Sequence, residues 1–315
     1  MQEEVETVHL LLFNDKNLKT MKIIQFIHPG PEHTCITGSI WNTGAHKRKY
    51  LEISGNYLTS LNSEPLFAEK LYFWGEWEAQ SHCRRIANPT QDGPHFIFNP
   101  YYQFPLPANA ANTDPFVFGN QFYYCFCKQP HYPSLRNLEP GDVILFGSCK
   151  NFNFVLDTVF VVKRRVNYKI GELDKLMKNF NQSFSDVSLL PLLKKEKCEP
   201  KHIRENEGCF KPDSGDNDDD DKPTDTFDEY SIYEAVMYKD RNDFNGMFSY
   251  APSLAYERGE AGFVRPTINI PNVISPTLNQ GLKITVVDDT TSYWASVTEQ
   301  VLHEKLELMI ENQIA

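Results

Sequence analysis

Apolar and polar positions along this 315-residue chain fall into short runs broken by Pro, Gly, Asn and Asp, the rhythm of strands and turns rather than of long helices. MKIIQFI at residues 21–27 is a nearly unbroken apolar and β-branched run stopped by His28-Pro29-Gly30-Pro31, so it predicts a first strand. The residues before it, 1–20, read as an extension. Further strands are expected at 49–53, 70–78, 95–98, 121–127, 142–146, 154–162, 230–238 and 246–250. Helical spacing occurs at Leu173, Leu176, Met177 and Phe180, and again from about residue 291, where Trp294, Val297, Val301, Leu302 and Met309 share one face and Thr291 or Ser292 is available as a cap. The expected fold is α+β: a curved, mostly antiparallel sheet or small β-barrel with flanking helices.

Charge divides this picture. Residues 199–229 hold 12 acidic against 4 basic side chains, which is −8 of the chain's formal −11. So few apolar and so many like charges cannot offset the entropy of ordering, and the segment reads as a disordered acidic insertion with a basic protein as its natural partner. A calcium loop needs oxygen ligands in strict alternation with a glycine at the sixth position, which the segment does not offer. Residues 21–198 are expected to form a β-rich core that residues 230–315 complete as the same domain. With 41% hydrophobic and 23% charged residues the chain can build its core without staples. Seven irregularly spaced cysteines predict reduced thiols in a cytoplasmic protein. The longest apolar runs fall well short of the roughly 18 residues of a membrane span, so no membrane association is expected.

Three stretches could carry chemistry. In LYFWGEWE, residues 71–78, strand alternation puts Tyr72, Trp74, Glu76 and Glu78 on one face and Leu71, Phe73 and Trp77 on the other. Glu76 and Glu78 could accept hydrogen bonds from a base stacked on Trp74, could work as an acid/base pair, or could be ordinary strand surface. In WNTGAHKRKY, residues 41–50, a turn with free backbone donors precedes His46, Lys47 and Arg48, a combination suited to phosphate and equally to a solvated basic turn. His28 ends the first strand, where site residues are commonly delivered, and His95 opens a stretch leading to Tyr101. Each could act as a base, as a contact or as a satisfied structural group. Cys125 and Cys127 lack the spacing of a zinc knuckle, and neither metal nor cofactor is expected.

A fourth stretch, residues 113–148, has an Asp114-Pro115 turn, an aromatic strand ending in Cys127-Lys128, Arg136, then Leu-x-x-Gly-Asp at 138–142, a strand, and Gly147-Ser148, followed by FVLDTVFVV. This arrangement resembles the nucleotide-modification-associated domains, which are similar to the PUA-like group that includes EVE and ASCH domains. The resemblance, over residues 113–165, implies a strongly curved PUA-like barrel that holds a base or nucleotide in an aromatic cleft beside nucleic-acid modification or defence systems. Carried over by position, it implies that Asp114, Lys128 and Ser148 face the ligand while Asp142 ties its own turn and Cys127 packs.

The functional expectation is binding of a nucleobase or nucleotide, modified or not, free or within DNA or RNA. Trp74, Glu76, Glu78 and His28 would surround the base, with Lys47 and Arg48 at the phosphate. The alternatives are a nucleoside-processing hydrolase or glycosyl-transfer enzyme using Glu76 or Glu78 with a histidine, and an interaction module using the acidic insertion.

Overall fold

A computed structural model describes residues 20–35, 47–106, 110–198 and 229–314 of the chain. The acidic insertion, apart from Glu229, and the extension, apart from residue 20, lie outside the described residues. The strands are β1 (Met21–Ile27), β2 (Lys49–Leu58), β3 (Leu66–Gly75), β4 (Ser81–Arg85), β5 (Phe96–Pro100), β6 (Tyr123–Tyr124), β7 (Val143–Lys150), β8 (Asn153–Lys169), β9 (Glu229–Ala235), β10 (Ala251–Ala255), β11 (Leu282–Val287) and β12 (Glu307–Gln313). The helices are α1 (Leu173–Leu176), α2 (Gln182–Phe184), α3 (Leu190–Cys198), α4 (Tyr256–Gly259) and α5 (Thr291–His303).

Two six-stranded sheets result, ordered β11-β1-β7-β8-β9-β6 and β12-β10-β3-β2-β5-β4. Because β12 also pairs with β2, the four strands β2, β3, β10 and β12 close into a small barrel. Pairing is antiparallel except for β1 with β7 and β2 with β5. The fold is therefore α+β with mostly antiparallel sheets, one of them partly closed.

Period-two alternation explains why the central strands are apolar on both sides. In β1, Ile24 and Phe26 enter one core cluster while Ile23 and Ile27 enter a second. β3 divides likewise, with Leu71 and Phe73 in the first and Tyr72 and Trp74 in the second. Each strand thus separates two packed layers, and a strand covered on both faces must be apolar at nearly every position.

Several elements differ from expectation for identifiable reasons. The strand expected at 121–127 shrinks to β6 because the Asp114 carboxylate takes the backbone N–H groups of Cys125, Phe126 and Cys127, which then cannot join a ladder. The strand expected at 246–250 begins only at Ala251, after Asn245 and Gly246 adopt φ of 53° and 85°. α5 stops at His303, and Lys305 at φ 59° turns the chain into β12, so Met309 lies on a strand and not on the helix face. The cap of α5 is supplied by the Asp289 side chain, which accepts from the Thr291 and Ser292 N–H groups. Cys35 and Cys83 form a disulfide, their Cα atoms 6.1 Å apart, so the expectation of uniformly reduced cysteines is corrected, while Cys125, Cys127 and Cys149 are free thiols. Among the described residues no helix is long and apolar enough to cross a membrane.

Candidate functional site

Parallel pairing of β1 with β7 carries His28, just past the end of β1, to the Gly147-Ser148 step of β7, where the His28 N–H donates to the Gly147 carbonyl at 2.7 Å. The register between β7 and β8 shifts at this step. Phe146 faces Thr158 and Gly147 faces Leu156, which leaves Asp157 as the extra residue of a β-bulge. Bulges re-aim side chains in this way, and here the re-aimed group is a carboxylate that is 3% exposed. The backbone at 265–268 runs along β8, with Leu156 and Ile268 N–H groups bonded to the Pro266 and Phe154 carbonyls, and this delivers Arg265 to the same place.

A second pair of elements meets the first. Arg48 precedes β2 and is held by backbone bonds to the 31–33 segment, while Glu76 follows β3 directly after Gly75, the partner of Lys49. Adjacency of the start of β2 and the end of β3 therefore fixes Arg48 against Glu76. The Arg48 Nη1 to Glu76 Oε2 distance is 2.9 Å, and its Nε lies 3.2 Å from Asp157 Oδ2. Arg265 Nη1 donates to Ser148 Oγ at 2.8 Å and to Asp157 Oδ1 at 3.2 Å, and its Nη2 donates to the Gly30 carbonyl at 2.8 Å. Two guanidinium groups thus share one buried carboxylate. Removing such charges from water costs several kcal/mol per ion, and the network offsets this only by pairing every ion.

His28 connects this network to a thiol. Its Nδ1 is 3.4 Å from Glu76 Oε2 and its Nε2 is 3.4 Å from Cys127 Sγ. Burial, aided by the Arg48 charge, lowers the imidazole from its ordinary 6.5 to about 4, so it is neutral at physiological pH. Cys127 follows β6 on the turn tied by Asp114, whose carboxylate accepts three N–H groups at 2.9, 2.7 and 2.5 Å. Burial pushes the Asp114 carboxyl up to about 6 against the pull of those donors. Burial also raises the Cys127 thiol, as do Asp114 and Glu76, while Lys128 and Arg48 act in the opposite sense. Lys128 itself has φ 62°, a left-handed conformation uncommon for a residue with a Cβ.

His28, Arg48 and Glu76, three of the residues singled out in the sequence, meet directly here, and Ser148 joins them through Arg265. Asp114 and Lys128 enter through the Cys127 turn. Trp74 is placed differently from the stacking surface expected of it. It is 5% exposed, its indole N–H donates to the Phe263 carbonyl at 2.9 Å, and the Arg265 guanidinium lies 5.2 Å over the ring. Glu78 is buried against Lys49, with Nζ 3.2 Å from Oε1, rather than displayed on a strand surface. His95 pairs instead with Glu32 at 2.9 Å, and Tyr101 stacks on His82 at 4.6 Å between centroids. Lys47 is half-buried near His33, and His46 lies outside the described residues.

Asp157, Arg265 and the contact of Cys127 with His28 escape the sequence reading. Asp157 does carry a signal, being a lone charge inside the apolar run FVLDTVFVV, whereas Arg265 sits in a loop with nothing to mark it. No family model matches the chain, and no match was found among curated proteins or solved structures.

Proposed function

We propose that this protein binds a nucleobase or nucleotide, modified or unmodified and free or within nucleic acid, through the buried ionic network around Arg48, Asp157 and Arg265 rather than on an open Trp74 face. The observation that carries the proposal is the gathering of two guanidinium groups and a shared carboxylate at one place in the fold. Arg48 Nε and Asp157 Oδ2 are both buried and ion-paired, yet neither makes a well-aligned hydrogen bond. Guanidinium donors and carboxylate acceptors are the groups that recognise the polar edge of a heterocycle and its phosphate. The resemblance of residues 113–165 to nucleotide-modification-associated domains points to the same ligand class and to a role beside nucleic-acid modification.

The reading is tested by titrating bases, nucleosides, nucleotides and short oligonucleotides, modified and unmodified, against the full chain by calorimetry. Asp157→Asn removes the acceptor's charge, and Ser148→Ala removes one of the three partners of Arg265 with less disturbance. The expected result is binding of one ligand class that weakens at least about tenfold in both variants, equivalent to about 1.4 kcal/mol. No binding across the panel, or equal binding by well-folded variants, would overturn the proposal.

A further inference from the structure

We propose that Cys127, His28 and Glu76 form a nucleophile, base and orienting carboxylate, and that the protein transfers or hydrolyses acyl groups through a thioester on Cys127. This activity does not depend on nucleotide binding. The geometry has two features that covalent catalysis by a thiol requires: a nucleophile in contact with a base, and a base in contact with an orienting group.

These are the 3.4 Å contacts on either side of the imidazole, from Nε2 to the Cys127 sulfur and from Nδ1 to Glu76 Oε2. With a carboxylate on the Nδ1 side, the favoured neutral tautomer carries its proton on Nδ1 and presents the Nε2 lone pair to the thiol. The contact from Nδ1 is longer than an aligned hydrogen bond, as catalytic contacts often are before substrate binds. Glu76 is in turn fixed by Arg48 at 2.9 Å, which makes it a positioning residue. Cys127 is a free cysteine whose residue is only partly buried, although its thiol group packs inward; Cys125, two residues earlier, is buried entirely. Lys128 and Arg48 favour negative charge at this sulfur, while Asp114 and Glu76 oppose it. The left-handed backbone at Lys128, just after the sulfur-bearing residue, is strain of the kind that collects at reactive turns.

In the first step the sulfur bonds to the acyl carbon while the thiol proton passes to Nε2 of His28. The resulting imidazolium, held by Glu76, returns that proton to the departing alcohol, thiol or amine as the carbon–heteroatom bond breaks. In the second step water, or another nucleophile in a transfer, attacks the thioester and gives its proton to Nε2. The thiol recovers that proton as the carbon–sulfur bond breaks. Substrates of this class are esters, thioesters and activated amides.

The test uses the full chain with p-nitrophenyl acetate and with an acetyl thioester, reading nitrophenolate release together with mass spectrometry of digested peptides. A burst of about one equivalent and an added acetyl group on the Cys127 peptide are expected, both lost in Cys127→Ala. His28→Gln should slow acylation about 100-fold or more, the usual contribution of a positioned base. Glu76→Gln should change the pH dependence of acylation, which a merely structural carboxylate would not do. Melting curves identify any variant that has unfolded, and in that case the adduct map of the native protein decides. Acetylation that favours Cys149 over Cys127, or an unchanged rate in folded His28→Gln, would overturn the inference.

Discussion

Lys49 and Glu78 offer the most direct test of how this interior is held together. Lys49 has no exposed surface, Glu78 is 1% exposed, and their charged atoms lie 3.2 Å apart. At an effective dielectric of 20 that separation corresponds to about 5 kcal/mol of attraction, set against desolvation of several kcal/mol for each ion. The pair as a whole is therefore close to neutral for stability, whereas removing one member takes from the other its buried ionic partner. Lys49→Met and Glu78→Gln should each cost about 3–5 kcal/mol. The double variant should cost less than the sum of the two by about 2–3 kcal/mol, the coupling expected of groups in contact. Urea unfolding of the four proteins measures this, provided the slope with denaturant stays constant. Additivity within about 0.5 kcal/mol would refute the reasoning.

Two further predictions concern the neighbourhood of His28. Because its folded pKa is lowered to about 4, the unfolded chain takes up a proton at this residue that the folded protein refuses. Stability should accordingly be full above pH 6.5, fall by about 3 kcal/mol as pH drops towards 4, and level off below. Asp114, raised to about 6, acts with the opposite sign between about pH 4 and 6, so the measured quantity is the difference between wild type and His28→Gln across pH, and a pH-independent difference would contradict the assignment. At Gly147, a Cβ would land on the Val155 carbonyl oxygen and the Phe154 ring. Gly147→Ala should therefore destabilise by at least about 2 kcal/mol in thermal or urea unfolding, and a cost below about 0.5 kcal/mol would mean the bulge is not as tightly closed as described.

Much of the framework is legible in the sequence because burial on both faces writes itself as unbroken apolar runs. MKIIQFI is β1 without adjustment, and alternation from Leu71 to Trp74 separates the two cores as expected. The failures come where one long-range polar contact overrides local pattern. No alternation rule could show that Asp114 would take three N–H groups from the stretch expected to be a strand. Likewise, helix periodicity ran on into LELMIENQ because Lys305, with no glycine or proline to announce it, makes the left-handed turn that ends α5. At the site, the strand that alternation predicts through Glu78 ends at Gly75, so Glu76 and Glu78 lie beyond it and pair with two successive residues. Those partners are Arg48, expected in a basic turn, and Lys49, expected at the start of a strand.

The small barrel also sets an order of events during synthesis. Leu58 of β2 pairs with Leu308 of β12, a partner made 250 residues later. At about 5–20 residues per second on a ribosome, β2 waits on the order of 10–50 s before that edge can be covered. The β2–β3 hairpin can form early from its own local pairing, but the ring cannot close until the last of its staves has left the exit tunnel.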